Sequence, residues 1–308
     1  MITTNETDAG GERLDHYLVR LGFAESRRAA RDLIDRDLVT VNGYRARKGD
    51  LIRESDRVDL QPLSATASVL APDPALAIEL LYSDPAIIVV NKPGLMPCHP
   101  LHRGEVGTVM NAVVARFPEV AQVGGTAREG GLVHRLDNGT SGALMIARND
   151  QAYEQLRRNL KDGAIRRSYL AMVAGRLETA IEIDDPIGHR GTQRMATVSS
   201  KAARLRGIAR PASSHIAPLR PVREFTLVSV TPQTGSRHQI RVHLASRGLP
   251  IAGDTLYGGP PIGLAPGRFW LHLSKIDFDS GRGPVHVSAP LPADLAALLA
   301  PANTSAGP

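Results

Sequence analysis

The sequence predicts an α+β protein whose main sheet is mixed and largely antiparallel, carried on two domains. Short β-rich runs outnumber helical ones, and the two do not alternate in a regular βαβ order. The length of 308 residues is enough for about two domains. A segment rich in Pro, Ala and Ser with few charges, QPLSATASVLAPDPAL, reads as a linker over residues 61–76. These boundaries give a small domain at 11–60 and a large one at 77–300. The polar or small residues before about residue 10 and after residue 300 read as disordered ends.

In the small domain, Leu14, Tyr17, Leu18 and Leu21 recur at helical spacing. Ser26 then stands where an N-cap would precede the second helix, RRAARDLI. Val39 and Val41 alternate up to Asn42-Gly43, a hairpin signal, and Val58 and Leu60 close a further strand. Arg27, Arg28 and Arg31 share one helix, while Arg45, Arg47 and Lys48 follow the turn. The domain's charges nearly cancel, so its basic character lies in clustering alone.

In the large domain, strands are expected at LAIELLY, AIIVVNK, LVHRL, ALMIAR, YLAMVAG, EFTLVSV, HQIRVHL and FWLHLS. Helices are expected at TVMNAVVARF and QAYEQLRRNL. No internal repeat is visible.

Composition narrows the class of function. No apolar run reaches the ~20 residues of a membrane helix, and MITTNETDAG lacks the basic-then-apolar order of a signal peptide. With Cys98 as its one cysteine, the chain has neither a disulfide framework nor a cysteine zinc knuckle, and a reducing cytoplasm is its expected home. Only five of the 37 basic residues are lysines, and guanidinium forks suit phosphate recognition. From Ile187 to Arg223 there are eight Lys/Arg (Arg190, Arg194, Lys201, Arg204, Arg206, Arg210, Arg220, Arg223) and no acid. That local +8 exceeds the chain's net +6, which marks the strip as a footprint for a polyanion.

Several chemistries fail on spacing. His238 and His243 lie five apart on an expected strand and would face opposite ways, so a shared metal is not expected. Neither a phosphate loop nor a dinucleotide fingerprint is present, and Ser141 does not sit on a nucleophile elbow. Glycoside hydrolysis would need a second carboxylate whose place the sequence does not show. What fits is one carboxylate held by a cation: Asp137, in HRLDNGTSG, is followed by Gly139 and Gly142, where the backbone can turn sharply and expose one side chain. On the residues alone, Tyr169 reads as a half-buried strand aromatic, Arg241 as a member of a surface ladder and His134 as a satisfied structural histidine. Lys92 reads as structural or as facing phosphate.

HRLDNGTSG matches, at all seven fixed positions, the HRLDxxTSG signature of the RluA family of pseudouridine synthases. RLDHYL, SRRAARDLI and VTVNG resemble the S4 RNA-binding domain. RRSYLAMVAG and TGSRHQIRVHLASRGLPIAGDTLYGG are similar to the family's later motifs. Leu95 stands where the family usually has glycine, and Ser236 with Arg237 replaces its usual order before HQIR. The resemblance implies an RNA pseudouridine synthase in which Asp137 acts covalently, Tyr169 is the active-site tyrosine and Arg241 the active-site cation. It implies substrate contacts from Arg135, which enters the RNA stack, and from Ile240, His134 and Thr140. RNA contacts are expected from Arg27, Arg28, Arg31, Arg45, Arg47, Lys48, Arg204, Arg206 and Arg210. The expected partner is RNA, above all ribosomal RNA, bound by a cytoplasmic monomer without metal, cofactor or membrane. A non-catalytic RNA-binding or ribosome-assembly factor and a hydrolytic glycosidase are the rival classes.

Overall fold

The computed structural model describes residues 2–4, 11–60 and 70–300, apart from residues 25, 36, 54, 103, 125, 127, 192 and 200–204. Most of the expected linker (61–69), Lys201 and Arg204 therefore lie outside the described residues. Among the described residues no helix is long and apolar enough to cross a membrane.

In the N-terminal region, helices Leu14–Arg20 and Arg27–Asp35 pack Leu14, Tyr17, Leu18, Ala30 and Ile34 against Val39, Ile52 and Val58. Ser26 caps the second helix by accepting from the Ala29 N–H at 3.2 Å. Strands Val39–Val41 and Tyr44–Arg45 form the expected hairpin, with Asn42 and Gly43 both at positive φ (53° and 80°). One expectation needs correction at the N-terminus: residues 2–4, read as part of a disordered end, form a strand antiparallel to Val58–Leu60.

The larger region is built on a nine-stranded sheet. Its order runs Ile181–Ile183, Ser214–Val222, Phe225–Pro232, Arg166–Ala174, Leu271–Asp279, Ser141–Ala147, Ile87–Lys92, Glu79–Ser83, and Pro284–Ser288 adds to Leu271–Asp279. Every pairing is antiparallel except that of Leu271–Asp279 with Ser141–Ala147. Ser141–Ala147 is buried along its whole length, as its unbroken apolar run requires. Helix Val109–Arg116 starts at a capping box between Thr108 and Asn111, and helix Asp150–Lys161 at Asn149. Leu70 is fully buried in the core of this region.

Two expected strands are not strands. HQIRVHL forms the helix Gln239–Ser246, because its alternating polar positions are not turned to solvent. Gln239, Arg241 and His243 are all buried and each finds a polar partner, so the alternation never marked an exposed face. LVHRL makes a single bridge, Leu132 to Ile146. Beyond it the His134 Nε2 takes the Met145 N–H at 3.2 Å, the place a backbone carbonyl would hold in a ladder.

Within the basic strip, Arg220 lies on the strand Ser214–Val222 of the main sheet, while Arg194–Thr197, Ile187–Arg190 and Arg206–Arg210 form a separate three-stranded sheet. Ile187 and Met195 seat it on Val242 of the helix Gln239–Ser246. Arg190 and Arg194 are exposed and directly opposite each other across the strands, an arrangement that is destabilising unless an anion lies between.

Candidate active site

The loop that carries Asp137 is held by its backbone. The fully buried Lys92 ammonium donates to the carbonyls of Pro93 (2.8 Å), Asn138 (3.1 Å) and Thr140 (2.7 Å). Arg268, also buried, donates to the Gly139 carbonyl and the Ser141 hydroxyl and pairs with Asp294. Two cations thus fasten three successive carbonyls immediately after the acid. Upstream, the Cys98 thiol donates to the Leu136 carbonyl and accepts from its N–H. Glycine is required within the loop: a Cβ on Gly139 would stand 2.2 Å from the Gly267 oxygen, and one on Gly142 2.2 Å from the Leu273 oxygen. Leu95, whose N–H donates to the Asn138 carbonyl at 2.7 Å, adopts φ 67°, which gives glycine at this position its physical reason.

Asp137 remains a quarter exposed, and its Oδ2 accepts from Arg241 Nη1 at 2.8 Å. Arg241 is itself locked. Its Nε and Nη2 donate to the two oxygens of Asp254 at 2.7 and 2.8 Å, and its guanidinium lies over the rings of Phe269 (4.4 Å) and Tyr257 (5.0 Å). Burial works against this cation, but the Asp254 hydrogen bonds and the Asp137 charge outweigh it and raise the Arg241 pKa above its ordinary value. Asp254 is buried with both oxygens on Arg241, so it is not placed to serve as the second acid of a hydrolase.

Tyr169 stands on the strand Arg166–Ala174 where the register with Leu271–Asp279 shifts between Ser168 and Tyr169, an irregularity that re-aims the side chain. Burial first, then the nearby charge of Asp137, raise the Tyr169 pKa against the lowering effect of Arg167, so the phenol stays protonated near neutral pH.

Of the residues singled out by sequence, Asp137 and Arg241 meet directly, and Tyr169 lies within the electrostatic reach of Asp137. Ile240 is buried beside Arg241 on the same helix, and Thr140 closes the loop with its N–H on the Asp137 carbonyl at 2.9 Å. The Thr140 hydroxyl is buried with no partner among the described residues. Arg135 is exposed, with Glu129 3.4 Å away. His134 is buried, its Nε2 accepting from the Met145 N–H, and burial followed by the Arg167 charge pulls its pKa down to about 3.

Arg27 and Arg31 are half-exposed around the fully buried Asp15, joined there by Arg13. Arg28 and Arg47 are exposed; Arg45 pairs with Asp37 and Lys48 with Asp35. Arg210 is exposed on the three-stranded sheet, and only the backbone of Arg206 is described.

Sequence reasoning missed Asp254, Tyr257, Phe269 and Arg268, and weighed His238 only as a metal ligand. The His238 Nε2 lies 3.9 Å from Asp137 Oδ1, and its Nδ1 lies 2.8 Å from the Tyr257 hydroxyl. The signal available for Asp254 was its place as the one acid of AGDTLYGG, a run that follows Arg237, Arg241 and Arg247.

Residues 86–246 match the family described as RNA pseudouridylate synthase, and residues 12–58 match the S4 domain. The chain is 33% identical over 301 residues to a Bacillus subtilis protein named as the RNA pseudouridine synthase YlyB, covering 97% of this chain and 96% of that one. It is 33% identical over 260 residues to ribosomal large subunit pseudouridine synthase D of Pseudomonas aeruginosa, covering 83% of this chain and 78% of the other. Among solved structures, human RNA pseudouridylate synthase domain containing 1 is similar, with a TM-score of 0.57 at 25% identity over 74% of this chain and 89% of that one.

Proposed function

We propose a mechanism for a chain that belongs to the RNA pseudouridylate synthase family and isomerises uridine to pseudouridine in RNA: Asp137 is its nucleophile, Arg241 holds that carboxylate and Tyr169 packs the target base. The observation that carries this reading is the division of the two Asp137 oxygens. Oδ2 is fixed by an arginine that Asp254 and two rings immobilise, while the carboxylate keeps a quarter of its surface open.

The reaction breaks the bond from C1′ to N1 and joins C1′ to C5; C5 loses a proton and N1 gains one, so no oxidant, reductant or water is consumed. A stacked uridine must first leave its helix, at a cost of about a few kcal/mol. Arg135, exposed at the mouth of the loop, is suited to fill the vacated space. Ile240 and Thr140 complete the pocket, and a protonated Tyr169 presents both a ring for the base and a hydroxyl.

Ribosomal RNA is the substrate we assign, since the Pseudomonas relative carries that name. Its backbone would be held by Arg27, Arg28, Arg31, Arg45, Arg47 and Lys48 in residues 11–60, and by the basic strip with Arg204, Arg206 and Arg210. Residues 77–300 then form the catalytic unit of a cytoplasmic monomer. RNA carrying tritium at C5 of uridine tests the chemistry. The wild-type protein should release tritium without free uracil, and Asp137→Asn should bind RNA while losing essentially all release. An Asp137→Asn variant that keeps a tenth of the wild-type rate would remove this residue from the mechanism. Mapping pseudouridines in total RNA with and without the gene identifies the site.

A further inference from the structure

His238 heads the helix Gln239–Ser246 in the left-handed conformation (φ 55°, ψ 18°), a costly geometry for which histidine is among the more tolerant residues. That turn directs its ring between Tyr257 and Asp137. The Tyr257 oxygen accepts the Met195 N–H at 2.9 Å, and the ring nitrogen Nδ1 of His238 lies 2.8 Å from the same oxygen. With one lone pair used by Met195, the phenol satisfies its own hydrogen by donating it to Nδ1. A neutral imidazole that accepts at Nδ1 carries its hydrogen on Nε2. Burial lowers the His238 pKa, against the opposing pull of Asp137, so the ring is held neutral.

The Nε2–H therefore faces Asp137 Oδ1 across 3.9 Å, too far for a direct hydrogen bond. An oxygen at about 2.8 Å from each would subtend roughly a right angle. Such an atom must accept from Nε2–H and donate to a carboxylate. Within a uridine in an RNA chain, N3 only donates, while O2, O4, O4′, O3′, O5′ and the phosphate oxygens only accept. The 2′-hydroxyl alone does both, and it is bonded to the carbon next to C1′.

Resting on Asp137 as the residue that meets the ribose, we propose that His238 and Asp137 together bind the 2′-hydroxyl of the target uridine. His238 is then the residue that makes the site specific for ribose. Tyr257 is a positioning residue that fixes the imidazole tautomer and stacks on Arg241, the other group that touches Asp137.

The test uses the full-length chain and a short RNA around the uridine found by mapping, tritiated at C5 of that uridine, with either a 2′-hydroxyl or a 2′-hydrogen at that one nucleotide. Single-turnover tritium release is measured for wild type, His238→Asn and Tyr257→Phe. Asparagine tolerates the left-handed backbone, but its shorter amide does not span the gap. The ratio of ribose to deoxyribose rates should be about 3- to 10-fold larger for wild type than for His238→Asn, the worth of a hydrogen bond between neutral groups. Tyr257→Phe, which keeps the ring, should lower the ratio at least threefold. Ratios within twofold of wild type in both variants would overturn the assignment. Failure of wild type to release tritium from the all-ribose RNA, or full activity of Asp137→Asn, would instead bring down the reading beneath it.

Discussion

Replacing Lys92 by methionine separates the geometry of the Asp137 loop from the stability of the fold. Burial pulls the Lys92 pKa down to about 8, with the Arg268 charge adding to the fall and the Asp137 charge opposing it. Set against an ordinary value of 10.5, keeping this cation inside the fold costs about 3 kcal/mol. The sign follows from proton counts: the cost is fully present below pH 8 and fades as pH rises toward 10.5, because the unfolded chain binds the extra proton in that window. Methionine removes the cost but leaves the Pro93 and Thr140 carbonyls without this donor, at about 1–3 kcal/mol each, while the Asn138 carbonyl keeps the Leu95 N–H. The two effects oppose, leaving a net loss of about 1 kcal/mol and a fall in Tm of about 2–4 °C. Turnover should suffer far more, because two of those carbonyls flank Gly139, and a shift of about 1 Å in a reacting group costs roughly 100-fold. Thermal unfolding gives the first quantity and single-turnover tritium release at 25 °C the second. A folded Lys92→Met protein within threefold of the wild-type rate would refute the claim that this ammonium positions the loop.

Asp254→Asn should lower turnover about 100-fold, equivalent to about 2.7 kcal/mol of barrier, with little change in RNA affinity, since one arginine fork loses its matching carboxylate; an unchanged rate in the tritium assay would show that Asp137 alone suffices to hold Arg241. Stability should fall with acid below pH 6.5, because the unfolded chain protonates histidines that His134, His243 and His272 keep neutral in the fold. His134→Gln should lessen that slope by about 1.4 kcal/mol per pH unit between pH 6.5 and 5 in urea titrations, and equal slopes would count against burial of a neutral His134. Replacing Arg27, Arg28 and Arg31 by alanine should weaken RNA binding for all sequences and reduce the magnitude of the slope of log K against log salt by about 1 for each phosphate no longer neutralised. A binding isotherm with unchanged salt slope would place the RNA elsewhere.

The α+β class, the small domain's hairpin and capped helix, and the central strand Ser141–Ala147 were legible because each rests on local information: a period, a cap or a turn pair. The helix Gln239–Ser246 was not. Its polar positions alternate with apolar ones, and alternation signals a strand only when the polar side meets water. Here Gln239 is satisfied by Ser213 and Ser214, Arg241 by Asp137 and Asp254, and His243 by Ser214 and the Asp185 carbonyl. Partners from distant segments converted a polar stripe into a buried one. In that helix and at its head, the His238 ring faces Asp137 and the His243 ring the Asp185 carbonyl.

The same physics explains which half of the site could be read. Asp137 announces itself because its neighbours Gly139 and Gly142 permit a close approach that local sequence can reveal. The groups that hold its carboxylate and its loop come from positions 92, 241, 254, 257 and 268, and apart from the lone acid of AGDTLYGG nothing in their local pattern records the meeting. Arg241 is the clearest case. Alone it is one arginine among many, and a free guanidinium beside Asp137 could turn to solvent or to phosphate. Asp254 prevents both by taking two of its nitrogens in a fixed fork, leaving Nη1 as the nitrogen turned to Asp137. Asp254, buried with both oxygens on Arg241, thus decides how the Asp137 carboxylate is held.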